Sequence, residues 1–379
     1  MSPFVEFPGV PTNSCVLMDT EEEARRYPRG DIVLAACEHC GFISNILFDE
    51  ELAQYSSKYE ETQGFSPTFR KFHRDLASSL IERHDIHGKE VLEIGCGKGE
   101  FLAMLCELGS NRGIGFDPSF DKARDVFPAG VEASVICDFF SEAHADVTAD
   151  AVCCKMTLEH IPDVERFARL ACGALRCSDG AVVFFQVPNA LRILRDCAFE
   201  DIYYEHCSYF TAGSLGRLFR DIGLAIHRLT TEYDEQYLAI EAVRQGSPAA
   251  SATLPALDDV DEIDRLVDGF EKRCNKKIET WRHRLDDASE AGPVMLWGSG
   301  SKAVAFLAAV DKEEQIKQVV DINPHKHGYY LPGSAQRIIS PDELAAGSPQ
   351  TVIIMNPVYR EEISAALRER NIDAKVLSL

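Results

Sequence analysis

Short apolar runs alternate with helical stretches through the middle of this chain. After a first run at 91–94, further runs have the length and composition of buried strands: Arg112 to Phe116, Ala133 to Cys137, Ala151 to Met156 and Ala181 to Val187. Apolar residues also recur at helical spacing from Ser66, which predicts an amphipathic helix leading into the first strand. Strands that alternate with helices predict an α/β fold, in which helices cover both faces of a parallel sheet.

Two later runs, Leu224 to Leu229 and Tyr237 to Val243, flank the sequence Tyr-Asp-Glu-Gln. They predict an antiparallel hairpin that closes the sheet. The segment from Gly246 to Thr253 is rich in Ser, Ala and Pro, so we interpret it as a linker. A charged helix is predicted over Val260 to Ala288, and a second α/β unit then opens at Val294.

These patterns divide a chain of 379 residues into several domains, as its length suggests. The predicted parts are a small N-terminal domain over 1–65, a central α/β domain over 66–245, a linker and helix over 246–292, and a C-terminal Rossmann-like domain over 293–379. In the first part, a turn from Cys37 to Cys40 lies between short strand-like runs.

The first strand ends in Glu-Ile-Gly-Cys-Gly-Lys-Gly, the most informative stretch of the chain. Three glycines let the backbone turn tightly against a ligand, and they are Gly95, Gly97 and Gly99. Asp117 ends the next strand about twenty residues further on, where a carboxylate accepts hydrogen bonds from a ribose diol. The spacing differs from the G-x-G-x-x-G of dinucleotide sites, and Glu93 suits a cationic, phosphate-free ligand. We therefore predict a site for S-adenosylmethionine (SAM); the alternative is an ordinary strand-turn-helix.

Asp138 and Phe139 follow the third strand, at the same edge of the sheet. Here a carboxylate can accept a hydrogen bond from the adenine amino group while an aromatic ring covers the adenine face. The alternative is a surface turn. We predict that both residues belong to the cofactor site.

A polar and aromatic segment from Asp201 to Thr211 follows the last parallel strand. It lies after the carboxyl end of that strand, where open α/β sheets place their active sites. His206 is the candidate general base, with Glu205 orienting a ring or binding a hydroxyl and Tyr203 donating to a developing oxyanion. The alternative is a loop histidine that hydrogen-bonds backbone, and the residues alone favour neither reading.

The sequence Thr-Leu-Glu-His at 157–160 follows the fourth strand. We predict that Glu159 and His160 line the floor of the substrate pocket. The alternative is a region at the start of a helix, with Asp163 as its cap. Both readings place the segment at the edge of the sheet that carries the cofactor.

The second α/β unit has a glycine pattern of its own. Gly298, Gly300 and Ala303 fit G-x-G-x-x-G/A, with Asp321 at a suitable distance. An oxidoreductase that binds NAD(P)H is therefore one hypothesis. We favour a degenerate nucleotide fold, because no Tyr-x-x-x-Lys pair accompanies the turn. In that interpretation Lys302 meets a diphosphate at a helix N-terminus, or is a surface lysine.

The net charge of −22 disfavours nonspecific binding to nucleic acid or to an anionic membrane surface, because both are polyanions. The sequence has no apolar run long enough to span a bilayer and no secretory signal pattern at its start, so we expect a cytoplasmic protein. The chain has 13 cysteines, an odd number, and we interpret Cys137, Cys153 and Cys154 as reduced core residues. The sequence does not indicate an oligomeric state.

Taken together, these motifs resemble the three-domain sugar-nucleotide C-methyltransferases. The resemblance rests on the glycine turn, 157–160, the Val-Pro-Asn sequence at 187–189, the Tyr-Tyr-Glu-His sequence at 203–206, and the distal Trp-Gly-Ser-Gly-Ser-Lys with Val-Asp-Ile-Asn-Pro at 320–324. It covers nearly the whole chain. It implies a small zinc-binding domain, a central class I SAM-methyltransferase domain and a C-terminal Rossmann-like domain.

The resemblance also implies a reaction. Such enzymes add a methyl group to the carbon beside the 4-keto group of a nucleoside-diphosphate sugar, in deoxysugar biosynthesis for natural products. By motif match His206 is the base, with Glu205 and Tyr203 as supporting groups. The chemistry needs no metal. An alternative is a SAM-dependent methyltransferase that acts on oxygen, nitrogen or carbon of a non-sugar intermediate; a further alternative is a noncatalytic SAM-binding protein.

The chain departs from this family at its N-terminus. A structural zinc site needs four ligands, usually two Cys pairs, and only Cys37 and Cys40 form such a pair. Cys15 is a possible third ligand. We therefore favour a small domain that has lost its metal or uses the pair for packing.

Overall fold

The computed structural model describes residues 1–53, 58–124, 127–178, 180–247, 250 and 257–379. Three β-sheets organise this part of the chain. None of its helices is both long enough and apolar enough to cross a membrane. Most of the predicted linker from Gly246 to Thr253 lies outside the described residues.

The central sheet has seven strands in the described residues. They are β4 (Glu90–Ile94), β5 (Arg112–Phe116), β6 (Glu132–Ile136), β7 (Ala151–Lys155), β8 (Val182–Pro188), β10 (Leu224–Glu232) and β11 (Tyr237–Arg244). Their spatial order is β10-β11-β8-β7-β4-β5-β6. Strands β4 to β8 are parallel, and β11 pairs antiparallel with both β8 and β10. The predicted parallel sheet with a closing hairpin is therefore confirmed.

The C-terminal sheet is entirely parallel. Its strands are β12 (Val294–Trp297), β13 (Gln318–Val320), β14 (Arg337–Ile339), β15 (Thr351–Ile354) and β16 (Lys375–Ser378). Their order is β14-β13-β12-β15-β16. In both parallel sheets the strand order reverses beside the first strand, and such a switch point opens a crevice at the carboxyl ends of the strands.

The N-terminal sheet includes a strand from the middle of the chain. Its strands are β1 (Ser2–Pro11), β2 (Arg29–Ala36), β3 (Ile43–Asn45) and β9 (Ser208–Tyr209). β9 pairs antiparallel with β3, where Ile43 lies opposite Tyr209. Because β9 directly follows the segment that carries His206, the N-terminal sheet fixes that segment in place.

Helices cover the sheets and connect their strands. They are α1 (Glu21–Arg25), α2 (Pro67–His84), α3 (Glu100–Gly109), α4 (Val164–Gly173), α5 (Ala190–Asp196), α6 (Ala212–Asp221), α7 (Val260–Val267), α8 (Phe270–Ala291), α9 (Ser301–Ala309), α10 (Pro341–Leu344) and α11 (Arg360–Glu369). The single helix predicted over Val260 to Ala288 is wrong, since α7 and α8 are separate. Gly269 between them has φ +63°, a left-handed conformation that interrupts the helix.

Apolar side chains on the two faces of the central sheet form separate cores, as a buried strand requires. In β4, Val91 packs with Leu76 and Leu80 of α2, while Leu92 packs on the opposite face. Cys153 and Cys154 are buried, as predicted, but Cys137 is exposed because it follows β6, an edge strand whose own alternate residues are exposed.

Candidate active site

One large cavity lies at the switch points of the central sheet and the C-terminal sheet. Its volume is about 1120 Å³, and its lining runs from the glycine turn after β4 to the glycine turn after β12. Pockets for single ligands usually measure about 300–1,000 Å³. The cavity therefore has room for two ligands, one at each sheet.

The turn after β4 requires glycine at three positions. Gly95, Gly97 and Gly99 have φ values of +69°, +55° and +83°, a region that other residues rarely adopt. A Cβ on Gly95 would overlap Oγ1 of Thr157, and one on Gly97 would lie 2.5 Å from Oε1 of Glu61. The turn therefore brings bare backbone to the cavity wall.

Acidic side chains stand at the ends of the first two strands, as predicted. The Glu93 carboxyl is buried, its Oε2 has no hydrogen-bond partner in the described part of the chain, and burial raises its pKa to about 8. Asp117 accepts from the Gly97 N–H at 2.8 Å and from Ser119 N–H and Oγ at 2.8 and 2.7 Å. Since a carboxylate has about four acceptor positions, these bonds fix Asp117 and leave it able to accept another. An ammonium group beside Glu93 and a ribose hydroxyl on Asp117 would satisfy both, so the donor set fits SAM.

The predicted adenine contacts also line the cavity. Asp138 and Phe139 are exposed at its mouth, and the Phe139 side chain is 58% exposed. Asp138 accepts from the Phe139 N–H at 2.8 Å, and its Oδ2 lies 3.9 Å from Nε2 of His144. Their role in holding adenine stays a prediction.

The segment from Asp201 to Thr211, which we call the rim loop, is held by the N-terminal residues. Oε2 of Glu205 accepts from the backbone N–H of Ser14 at 2.8 Å, and Oε1 accepts from the Ser14 hydroxyl. Burial raises the pKa of Glu205 to about 7, although the bonds from Ser14 oppose that shift. In this structure Glu205 thus binds a hydroxyl of the protein and anchors the loop.

His206 lies buried on the cavity wall. The rings of Tyr203 and His160 flank it edge-on, with centroids 4.4 and 4.6 Å away. Its Nδ1 has no hydrogen-bond partner among the described residues. Burial, with the charges of His160 and Lys302, holds the pKa of His206 well below its ordinary value. The imidazole is therefore neutral at physiological pH, although the lowered pKa makes it a weaker base than an exposed histidine.

The Tyr203 hydroxyl is engaged by a neighbouring carboxylate. It donates to Oδ1 of Asp201 at 3.2 Å, and burial raises the pKa of Tyr203 well above its ordinary value. Asp201 is also bonded to Lys302 of the C-terminal unit and to Arg192 at 2.9 Å. Although burial opposes ionisation, these cations hold the pKa of Asp201 below its ordinary value. The Lys302–Asp201 pair joins the rim loop to the predicted nucleotide turn.

The floor of the cavity is a single helical turn at Leu158–His160. Glu159 and His160 line the cavity, and Asp163 caps α4 through the Arg166 N–H at 3.2 Å. Contact of Glu159 and His160 with substrate stays a prediction. Burial raises the pKa of Glu159 to about 8 and lowers that of His160 to about 4. One ligand atom each from Glu159, His160 and His206 lies within 4.8 Å of the others.

The acidic residue of the second glycine turn is also held by hydrogen bonds. Asp321 accepts from the Ser299 N–H at 2.9 Å, from the Ser299 hydroxyl at 2.5 Å and from the Asn323 N–H at 2.8 Å, and its Oδ2 lies 3.6 Å from Nζ of Lys326. Asp321 thus accepts three hydrogen bonds from the protein, the same number as Asp117. The oxidoreductase hypothesis stays a prediction.

The cysteines considered for zinc lie in two places. Cys37 and Cys40 flank the turn between β2 and β3, whereas Cys15 lines the cavity with its Sγ 3.3 Å from Oγ of Ser301. Within the described residues these three cysteines do not form a cluster of three ligand atoms. The structure thus does not bring Cys15 to the pair.

Sequence reasoning missed a buried basic pair beside the cofactor turn. Nζ of Lys155 lies 3.0 Å from Nε2 of His73, and both residues line the cavity. It also missed the segment 58–66, which crosses between the two α/β units: Nζ of Lys98 donates to the Tyr59 carbonyl at 2.9 Å, and Asn323 donates to Glu60 at 2.8 Å. Lys155 is the last residue of β7, at the edge of the sheet that carries the cofactor turn, so its position could have predicted a site residue. The sequence of 58–66 has no pattern that predicts its place.

Comparisons with known proteins agree with this geometry. Residues 69–229 match a family model described as a methyltransferase domain, and residues 257–375 match a C-methyltransferase C-terminal domain. The ubiquinone biosynthesis O-methyltransferase of Chromobacterium violaceum is 31% identical over 172 residues, which cover 41% of this chain and 73% of that protein. The chain belongs to the SAM-dependent methyltransferases.

This methyltransferase is also similar to the C-methyltransferase NovU of Streptomyces niveus. The two are 27% identical over 306 residues, which cover 76% of this chain and 72% of NovU. A solved structure of magnesium protoporphyrin IX methyltransferase from Synechocystis PCC 6803 with bound S-adenosylhomocysteine (SAH) covers 47% of this chain and 84% of its own, at 16% identity and a TM-score of 0.38. The predicted class I methyltransferase fold and the SAM cofactor are confirmed.

Proposed function

We propose that this methyltransferase adds a methyl group to carbon, beside the ketone of a keto-deoxysugar linked to a nucleoside diphosphate. One observation carries the proposal: a buried, neutral His206 lies in a cavity shared by the SAM turn and a second nucleotide-type turn. The similarity to NovU and to a C-methyltransferase C-terminal domain supports carbon as the acceptor. By this proposal the nucleotide and the sugar lie on the side of the C-terminal sheet.

The reaction needs a base because a carbon beside a ketone becomes nucleophilic only after it loses a proton. His206 takes that proton, and the C–H electron pair becomes the new carbon–carbon double bond while the carbonyl pair moves to oxygen. SAM supplies an electrophilic methyl group. The carbon then bonds to the methyl as the carbonyl re-forms, and the sulfur–methyl bond breaks with its electron pair left on the sulfur of SAH. A positioned base contributes about 10²–10⁴-fold, and alignment of the reacting carbons about 7–11 kcal/mol.

The other residues position the sugar and the base. Glu205 holds the rim loop through Ser14, and the pair of Lys302 with Asp201 places a cation where the second turn would meet a diphosphate. We also propose that the chain is divided into an N-terminal domain, a central SAM domain and a C-terminal nucleotide-type domain.

A second candidate is methyl transfer to oxygen or nitrogen of a non-sugar intermediate. The similarity to a ubiquinone biosynthesis O-methyltransferase favours it, but that similarity covers 41% of the chain and leaves out the C-terminal unit. The proposed function explains why both glycine turns open into one cavity.

Incubation with SAM carrying a ¹³C-methyl group tests the proposal. The acceptors are the thymidine, uridine and guanosine diphosphate forms of a 4-keto-6-deoxyhexose. We expect a product heavier by one methylene, in which NMR correlations join the labelled methyl to a ring carbon beside the ketone. A product with the methyl joined to oxygen would contradict the proposal. So would an enzyme that methylates a phenolic acceptor but none of the keto sugars.

A further inference from the structure

Glu159 is a buried carboxyl group that no other side chain of the described residues bonds. Its side chain is 1% exposed, and neither carboxyl oxygen has a hydrogen-bond partner among the described residues. It nevertheless lines the cavity beside His206. A buried polar group that the protein leaves unsatisfied requires an explanation, and a ligand that completes its hydrogen bonds is one.

The described residues leave the Glu159 carboxyl unpaired but fix its position. The Cys207 thiol donates to the Glu159 carbonyl at 3.5 Å, and Ser208 Oγ donates to the Ile161 carbonyl at 3.2 Å. Nδ1 of His160 lies 3.0 Å from the Glu205 carbonyl, which can only accept, so Nδ1 carries the hydrogen. Three bonds thus join the floor turn to the rim loop and set Glu159 relative to His206.

We propose that Glu159 is the general acid of this site: as a neutral carboxyl it donates a hydrogen bond to the ketone oxygen while His206 removes the proton from the adjacent carbon. The inference rests on the proposed function, and it supplies the oxyanion donor that the reaction needs. Tyr203, the donor expected from the sequence, gives its hydroxyl to Asp201.

The spacing suits this division of labour. In a ketone, the oxygen and the carbon beside the carbonyl are about 2.4 Å apart, given bonds of about 1.23 and 1.52 Å. A ligand atom of Glu159 and one of His206 lie within 4.8 Å of each other. An acid and a base at that separation can straddle the C–C=O unit, one at each end.

The surroundings keep the carboxyl protonated. Burial raises the pKa of Glu159 to about 8, and Lys155 opposes the shift only in part. Asp201 is the contrast, since two cations bonded to it hold its pKa below the ordinary value. A neutral carboxyl can donate, and an ionised one cannot.

The protons balance over one catalytic cycle, with one proton released to solvent. His206 gains the proton from carbon, and the electron pair on the carbonyl oxygen shares the Glu159 hydrogen. When the carbon–methyl bond forms, the oxygen returns to a carbonyl and the hydrogen returns to Glu159. His206 then gives its proton to solvent. Glu159 therefore ends each cycle protonated.

Two histidines and a carboxylate are also a donor set for a divalent cation. We favour the acid because positive charge already faces this cluster, from Lys155 toward Glu159 and from Lys302 toward His206. A cation would add to that charge. The metal reading is kept as an outcome of the test.

The pH dependence of kcat discriminates the acid. The titratable groups that face Glu159 are Cys154 and Lys155 on β7, His160 on the floor turn, His206 and Cys207 on the rim loop, and Tyr237 on β11. Burial raises the pKa values of the thiols and the phenol above that of Glu159, and it lowers those of the histidines and of Lys155. Activity that needs protonated Glu159 is therefore present below about pH 8 and is lost above it. The Glu159→Gln variant separates the titration of Glu159 from that of Lys155.

The test compares Glu159→Gln and Glu159→Ala with wild type, at saturating SAM and the keto sugar that wild type turns over. Alanine removes the donor, so kcat should fall about 10²–10³-fold, whereas the glutamine amide keeps an N–H and loses less. In the glutamine variant the fall of kcat above about pH 8 should disappear. Asp311→Asn is the control, because Asp311 is also a buried carboxyl with a pKa raised by burial but lies outside the cavity lining, so its variant should keep the alkaline fall.

An infrared measurement needs no sugar, so its result does not depend on the proposed function. The protonated carboxyl band of the full-length protein at neutral pH should lose intensity in Glu159→Gln. In wild type, the part of the band that the variant lacks should disappear as the pH rises through about 8. An unchanged band, an alkaline fall that persists in Glu159→Gln, or one bound divalent cation per chain that is lost with Glu159 would overturn the inference. A band that changes as expected, in a protein that methylates no keto sugar, would leave Glu159 protonated and sink only the proposed substrate.

Discussion

Replacing Gly95 with alanine should weaken cofactor binding more than its effect on stability alone explains. Gly95 has φ +69°, and a left-handed conformation costs other residues about 1–2 kcal/mol. An added Cβ would also overlap Oγ1 of Thr157, and crowding of this kind costs about 1–3 kcal/mol. The φ cost lowers the stability of free and bound protein alike, whereas the crowding moves the turn away from the cofactor. The middle of that range, about 2 kcal/mol, corresponds to about a thirtyfold rise in Kd, because each 1.4 kcal/mol is about tenfold.

Gly88→Ala is the matched control for this prediction. Gly88 has a similar φ of +63°, a Cβ there would meet nothing within 4 Å, and the residue lies outside the cavity lining. Titration calorimetry with SAH measures both variants. Gly88→Ala should lower Tm without changing Kd, whereas Gly95→Ala should raise Kd by about thirtyfold or more. If Gly95→Ala bound SAH within twofold of wild type, the bare-backbone account of the turn would be refuted.

Three further variants test the contacts around the site. Ser14→Ala removes one of the bonds that oppose the raised pKa of Glu205, so that pKa should move above about 7 in an NMR titration. The free energy of unfolding should fall by about 1–3 kcal/mol. Glu241→Gln breaks a buried cluster with an arginine and a histidine, which should cost about 3–5 kcal/mol in urea unfolding at pH 7. Lys302→Gln should raise KM for the nucleotide sugar about tenfold, because in the proposed function the Lys302 cation meets the diphosphate.

Each of these has a result that would contradict it. An unchanged Glu205 titration in Ser14→Ala would mean that the bonds do not set that pKa. Burial alone would raise the pKa of Glu241, but hydrogen bonds from His84 and Arg83 lower it. The stabilisation that ionised Glu241 gives the folded protein is therefore present above the unfolded pKa of about 4.3, and it is lost as the pH falls through the folded pKa. If the loss of unfolding free energy in Glu241→Gln, relative to wild type, became larger as the pH falls, this prediction would be contradicted. A loss of kcat in Lys302→Gln without a change in KM would place Lys302 in the chemistry.

Local patterns in the sequence predicted much of the fold and the edge where the site lies. The central strands and the glycine turn were readable because apolar runs and positive-φ glycines depend on neighbours in sequence. The break between α7 and α8 was missed, although Gly269 inside a helical pattern was a warning. Cys137 was placed in the core because it continues an apolar run, but its strand ends one residue earlier.

Contacts between distant parts of the chain could not be predicted. Ser14 and Glu205 are 191 positions apart, and neither has a pattern that points to the other. The binding of the Tyr203 hydroxyl by Asp201, and of Asp201 by Lys302, likewise depends on how the C-terminal unit docks. Candidate residues were therefore predictable by type and position, whereas their hydrogen-bond partners required the fold.

The most direct test of the central claim is exchange of the carbon-bound hydrogen with solvent. In D₂O, with SAH in place of SAM so that methyl transfer cannot occur, the wild-type protein should place deuterium on the carbon beside the ketone of a nucleoside-diphosphate 4-keto-6-deoxyhexose. The exposed His87→Asn variant should exchange as fast as wild type, and His206→Asn should be slower by about 10²–10⁴-fold while still binding SAH. Exchange at the wild-type rate in His206→Asn would contradict the account.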